Sequence, residues 1–136
     1  MIKNPYLPTN EQPAELSSLR LAYVGDAVFE LLLRELFVNN ESGPVRRLHN
    51  QAACYANAKA QACMYRALLA YAAPDEAAVL KRGRNAKPAH SAKSASVSEY
   101  RHATGVEALF GYLYLQGRTD RLYELFRLCL SGFQDK

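Results

Sequence analysis

The chain has 136 residues, a formal net charge of +4, 49% hydrophobic residues and 22% charged residues. This mix suits one domain with a real core and excludes global disorder. No apolar run approaches the roughly 20 residues needed to span a bilayer. The opening residues, Met1-Ile2-Lys3-Asn4-Pro5, lack the apolar stretch of a secretory signal, so the expectation is a cytoplasmic protein with no membrane association. The three cysteines, Cys54, Cys63 and Cys129, are widely spaced and odd in number. They read as small buried apolar residues in a reducing compartment, not as a disulfide framework.

The pattern predicts an all-α protein, because alanine and leucine abound and no segment alternates with period two. Pro5, Pro8 and Pro13 make residues 1–13 an irregular arm, and residues 14–136 form a single domain. A first long helix is predicted over 14–38. Leu16, Leu19, Tyr23, Ala27 and Leu31 form one apolar stripe, and Leu21, Val24, Val28 and Leu32 form a second. A helix apolar on so much of its surface is wrapped by others or shared with a second subunit. Asn39, Asn40 and Gly43 end it. Pro44 suits the first turn of a second helix that buries Val45, Leu48, Ala52 and Tyr55. Asn57 caps a third, to about residue 71, with Ala60, Met64, Ala67 and Leu68 inward. Pro74 and Asp75 start a fourth, which ends at Gly83. Residues 84–97 read as a basic loop of a length more often functional than idle. Ser98 caps a fifth helix to Leu115, with Val106, Leu109, Phe110 and Leu113 inward. Thr119 caps a last helix that buries Leu122, Leu125, Phe126 and Cys129.

Charge is unevenly distributed. No acid lies between Glu76 and Glu99, where Lys81, Arg82, Arg84, Lys87 and Lys93 all fall, a local field of one sign that attracts phosphate. Glu15, Asp75, Glu76 and Asp120 sit in predicted first turns, where a solvated acid meets the helix dipole favourably. Asp26 and Glu107 are different, since each is a single acid among apolar and small residues inside a helix. A buried carboxylate requires a base, a proton or a metal. Arg20, Arg34, Arg101 and His102 are the candidate bases. Alternatively, Gly25, Ala27, Ala108 and Gly111 let two helices approach closely enough for both acids to face one hard cation such as magnesium.

LAYVGDAVFE (residues 21–30) resembles the signature helix of the ribonuclease III catalytic domain, and VEALFGYLYL (106–115) resembles that family's second acidic motif. NAKAQA (57–62), VLKRGRNAK (79–87) and YRHAT (100–104) extend the likeness, the last two toward the Mini-III subfamily. The resemblance covers roughly residues 15–130. It implies the all-α ribonuclease III endonuclease-domain fold, a homodimer, and magnesium-dependent cleavage of double-stranded RNA without a separate double-stranded-RNA-binding domain. The implied role is maturation of the large-subunit (23S) ribosomal RNA precursor, with a ribosomal protein on that precursor as a candidate further partner.

Carried over by position, Asp26 and Glu107 would ligate Mg2+ and form the catalytic pair. Ala22 and Thr104 stand where ribonuclease III itself carries acids, which leaves more of the coordination to water. Glu30 shares a face with Asp26 but is better read as an ion pair with Arg34. Lys81, Arg82, Arg84, Asn85, Lys87 and Lys93 are the candidate RNA contacts, because duplex RNA is bound through phosphates, shape and 2′-hydroxyls. Arg101, His102 and Lys59 are further candidates nearer the acids. The alternative is a catalytically silent helical RNA-binding or ribosome-associated protein on the same fold.

Overall fold

The computed structural model describes residues 12–87 and 96–134, with side chains through Ser131. A short 3-10 turn at Pro13–Glu15 leads into α1 (Ser18–Asn40), α2 (Val45–Ala53), α3 (Ala58–Tyr71), α4 (Pro74–Asn85), α5 (Val97–Leu115) and α6 (Thr119–Gln134); no strand occurs among the described residues. No helix among them is long and apolar enough to cross a membrane. Most of the predicted arm, and Pro88, His90 and Lys93 of the predicted basic loop, lie outside the described residues.

The helix boundaries follow local chemistry. The Ser17 hydroxyl accepts the Arg20 amide, so α1 starts later than the sequence predicts, after the 3-10 turn. It ends where the Asn39 and Asn40 side chains donate to carbonyls of its own last turns. Asn57 caps α3 as predicted, accepting the Ala60 amide. The cap of α5 is Ser96, two residues before the predicted Ser98, because Ser96 and Glu99 close a reciprocal capping box. Likewise α4 does not stop at Gly83. It continues to Asn85, since Gly83 serves there as a contact point against α5.

The centre of the molecule is α5, packed by α1, α3 and α4 around it. Val106, Ala108, Leu109, Phe110 and Leu113 are fully buried. Phe29 of α1 sits edge-on to Phe110 at 5.2 Å and to Phe126 of α6 at 5.6 Å, which joins three helices in one aromatic cluster. The two stripes of α1 have different fates. Leu21, Val28 and Leu32 are buried, whereas Leu19, Tyr23 and Leu31 are 41%, 85% and 48% exposed. Val45 is also exposed, because α2 packs on α1 through Leu48 and Ala52 and turns its first residue outward. Cys129 is buried as expected, but Cys63 is only half-buried and Cys54 is exposed.

Candidate active site

The crossing of α1 and α5 builds the site. At this crossing the backbones touch: a Cβ on Gly25 would lie 1.6 Å from the Glu107 carbonyl oxygen, and one on Gly111 would lie 2.0 Å from the Leu21 carbonyl oxygen. Only residues without a side chain permit this approach. The consequence is positional. Asp26 follows Gly25 and Glu107 lies one turn before Gly111, so the tight crossing carries the two carboxyls into hydrogen-bonding contact.

The two acids have unequal surroundings. Asp26 is exposed and Glu107 is half-buried. Burial, then the hydrogen bond and the charge of Asp26, push the Glu107 carboxyl up to about 9. Neither acid forms an ion pair with a base among the described residues. Arg20, Arg101 and His102 therefore do not neutralise them, and Arg34 bonds Glu30 at 3.0 Å, the plain ion pair the spacing predicts. Two converging carboxyls with no base to pair them, one of them exposed, suit a hard cation that keeps much of its water. The thinness of the set is visible too. No group of three or more His, Cys, Asp or Glu gathers among the described residues. Ala22 and Thr104 flank the acids as buried residues, and the Thr104 hydroxyl is occupied by donation to the Tyr100 carbonyl.

The basic residues divide by place. Lys81 and Arg82 are exposed on the last turns of α4, Asn85 closes it, and Lys87 follows. Arg82 also reaches the Ala14 carbonyl at 3.4 Å, which ties α4 to the segment before α1. The C-terminal half of α4 is pinned to α5 where a Cβ on Gly83 would lie 2.7 Å from the Gly105 Cα. That contact sets the basic turn beside the helix that carries Glu107. Arg84 is half-buried, with its guanidinium 6.0 Å from the ring centre of Tyr65. His102 meets the same ring edge-on at 4.7 Å, and its Nδ1 donates to the Ser98 carbonyl at 2.7 Å. His102 is thus held against Tyr65 of α3. Arg101 is half-buried, and its Nε has no hydrogen-bond partner among the described residues. Lys59 is exposed in the first turn of α3 with no ion pair among those residues. Lys93 lies outside them.

One acid is not where the sequence predicts. Glu76, placed with the solvated first-turn acids, is completely buried. Arg121 of α6 grips it with two bonds, of 2.8 and 2.9 Å, Arg118 adds one at 3.3 Å, and the Ala73 amide donates at 2.8 Å. These donors hold the Glu76 carboxyl below its usual range, Arg121 foremost. The signal was present in the sequence only as Arg118 and Arg121, some forty residues away, and nothing local announces that pairing.

Comparison with known proteins agrees with this architecture. The Ribonuclease III domain family profile matches residues 19–118, a span that includes both acids. A Mini-ribonuclease 3 of Enterococcus faecalis is 44% identical over 119 residues, which cover 86% of this chain and 90% of that protein. A Mini-ribonuclease 3 of Clostridium tetani is 38% identical over 128 residues, 93% of this chain and 85% of the relative. A crystal structure of a Fusobacterium nucleatum protein superposes with a TM-score of 0.78 at 27% identity, over 87% of this chain and 94% of that one. With its two acidic motifs joined at a glycine crossing, this chain belongs to the ribonuclease III domain family, in the Mini-ribonuclease 3 group.

Proposed function

We propose that the protein is an endoribonuclease that hydrolyses phosphodiester bonds of double-stranded RNA with magnesium, and that it matures the large-subunit (23S) ribosomal RNA precursor in the cytoplasm. The observation that carries the reading is the meeting of Asp26 and Glu107 as two unpaired carboxyls at the α1–α5 crossing. Asp26 and Glu107 would hold the ion, which when bound supplies an activated water and charge neutralisation at the phosphate. To act as a ligand Glu107 would have to give up the proton that burial and Asp26 favour, while the exposed Asp26 would meet the ion from the solvent side. Lys81, Arg82, Arg84, Asn85 and Lys87 would receive the duplex backbone, joined by Arg101, His102, Lys59 and Lys93. Tyr65 orients Arg84 and His102 through its ring.

A homodimer belongs to the same proposal. The Leu19, Tyr23 and Leu31 stripe is apolar, runs along α1, and stays exposed among the described residues. A twofold pairing would cover it and set two acid pairs against one duplex, turning two nicks into a double-strand cut. A ribosomal protein bound to the precursor would be a further partner in this reading.

The catalytically silent alternative has one observation in its favour, the replacement of acids by Ala22 and Thr104 beside the pair. Incubation of the protein with long duplex RNA, with and without magnesium, separates the two. Asp26→Asn is expected to abolish cleavage, a loss of at least about 10³-fold, while duplex binding persists. If Asp26→Asn cuts as fast as the wild type, the site is misassigned. If the wild type binds duplex RNA and never cuts it, the silent reading holds.

A further inference from the structure

The longest acid-free run in the chain is not the one that contains the basic end of α4. No Asp or Glu occurs from Ser42 to Pro74, a stretch that contains Arg46, Arg47, Lys59 and Arg66. Its first helix, α2, is strongly two-faced. Leu48 and Ala52 turn toward α1, while Arg46, Arg47 and Asn50 are exposed. Neither arginine has an ion pair or a side-chain hydrogen bond among the described residues. Arg34, by contrast, is engaged with Glu30, and Arg118 and Arg121 with the acids of α4. Arg46 and Arg47 flank a shallow hollow of about 450 Å³, lined also by Pro44, Asn50, Gln51 and Cys54. Within this wall the Gln51 Oε1 is buried with no partner, an acceptor that the protein itself does not serve.

Two adjacent guanidinium groups with no carboxylate to neutralise them call for an external anion. Their planar donor forks match phosphate oxygens in pairs. A position away from the two acids fits a long substrate. Phe37, which packs on Tyr55 just after α2, lies about 16 Å further along α1 than Asp26. A duplex cut at Asp26 and Glu107 extends to both sides of the scissile bond, and its phosphates continue over neighbouring surface.

We infer that Arg46 and Arg47 of α2 form a second contact for the phosphate backbone of duplex RNA, separate from the basic end of α4 and away from the bond that is cut. RNA fits this hollow better than an acidic polypeptide does. It brings regularly spaced phosphates for both arginines. The inference rests on the proposed RNA substrate and extends it to a surface outside the catalytic motifs.

Binding of the whole protein to a fluorescent 30-base-pair RNA duplex, in EDTA and over a series of potassium chloride concentrations, tests it. Arg46→Ala/Arg47→Ala is expected to bind about tenfold more weakly at moderate salt. The slope of log affinity against log salt should be shallower by about two, one unit for each lost phosphate contact. Arg46→Lys/Arg47→Lys should recover most of the slope, and thermal melts of both variants should match the wild type. An unchanged slope in the alanine double variant, with normal wild-type binding, overturns the inference and leaves the proposed function standing. Failure of the wild type to bind duplex RNA defeats the proposed function itself. Wild-type binding to polyglutamate that disappears in the alanine variant, with RNA binding intact, would assign the surface to an acidic protein partner and also overturn the inference.

Discussion

The Glu107 carboxyl holds its proton in the fold at pH values where it would ionise in an unfolded chain, because burial and Asp26 both oppose its charge. Its folded value lies near 9, against 4.5 for the free side chain. Between those two pH values the native state binds the extra proton, so stability falls as pH rises through the window. In metal-free protein the melting temperature should therefore decline from pH 5 to pH 9 more steeply in the wild type than in Glu107→Gln. At pH 8 the variant should melt a few degrees higher while being inactive. Parallel melting curves would show that the two carboxyls do not share a proton. Glu76 has the opposite sign. Its lowered value gives stability that is present above the usual carboxylate range and lost as pH falls below it. Removing its main partner strands a buried charge, so Arg121→Ala should cost about 3–5 kcal/mol, read by urea denaturation. A cost under about 1 kcal/mol would mean that Arg118 and the Ala73 amide suffice alone.

At the scale of elements, the crossing of α1 and α5 links fold to chemistry. Gly25→Ala places a methyl where the Glu107 carbonyl already stands, and no side-chain movement can relieve a clash with backbone. The substitution should destabilise by about 3 kcal/mol or more, and cleavage should fall further than the folded fraction because the two carboxyls part. Circular dichroism melts together with activity per folded molecule check this. A stable Gly25→Ala protein with full activity would show that the helices need not touch. Much of this level was legible in advance: six helices, the cap at Asn57, the start of α4 at Pro74, and the inward faces of the later helices. The misplaced boundaries share a cause. Ser98 and Gly83 are each a good local signal, but Ser96 forms the better cap because Glu99 reciprocates, and Gly83 is needed inside α4 for contact with Gly105.

For the molecule as a whole, the exposed stripe on α1 marks unfinished burial. Tyr23 is 85% exposed beside Leu19 and above Leu31 on the same face. If the proposed dimer covers this stripe, Tyr23→Asp should halve the mass seen by analytical ultracentrifugation and leave single nicks in place of double-strand cuts. A wild-type monomer at micromolar concentration that still makes paired cuts would remove the dimer from the mechanism.

The sequence by itself determined the helical class and the family, and it singled out the two acids proposed to hold the ion. Each of these is written in short-range patterns: hydrophobic spacing, motif order, and single carboxyls among small residues. Only the tertiary structure decided that Asp26 and Glu107 touch, that Glu76 is buried, that Tyr65 backs Arg84 and His102, and which stripe of α1 faces outward. Those outcomes depend on contacts between residues far apart in the chain, such as Glu76 with Arg121 or Gly25 with Gly111. Close backbone approach and burial decide them, and local sequence periodicity carries no record of either.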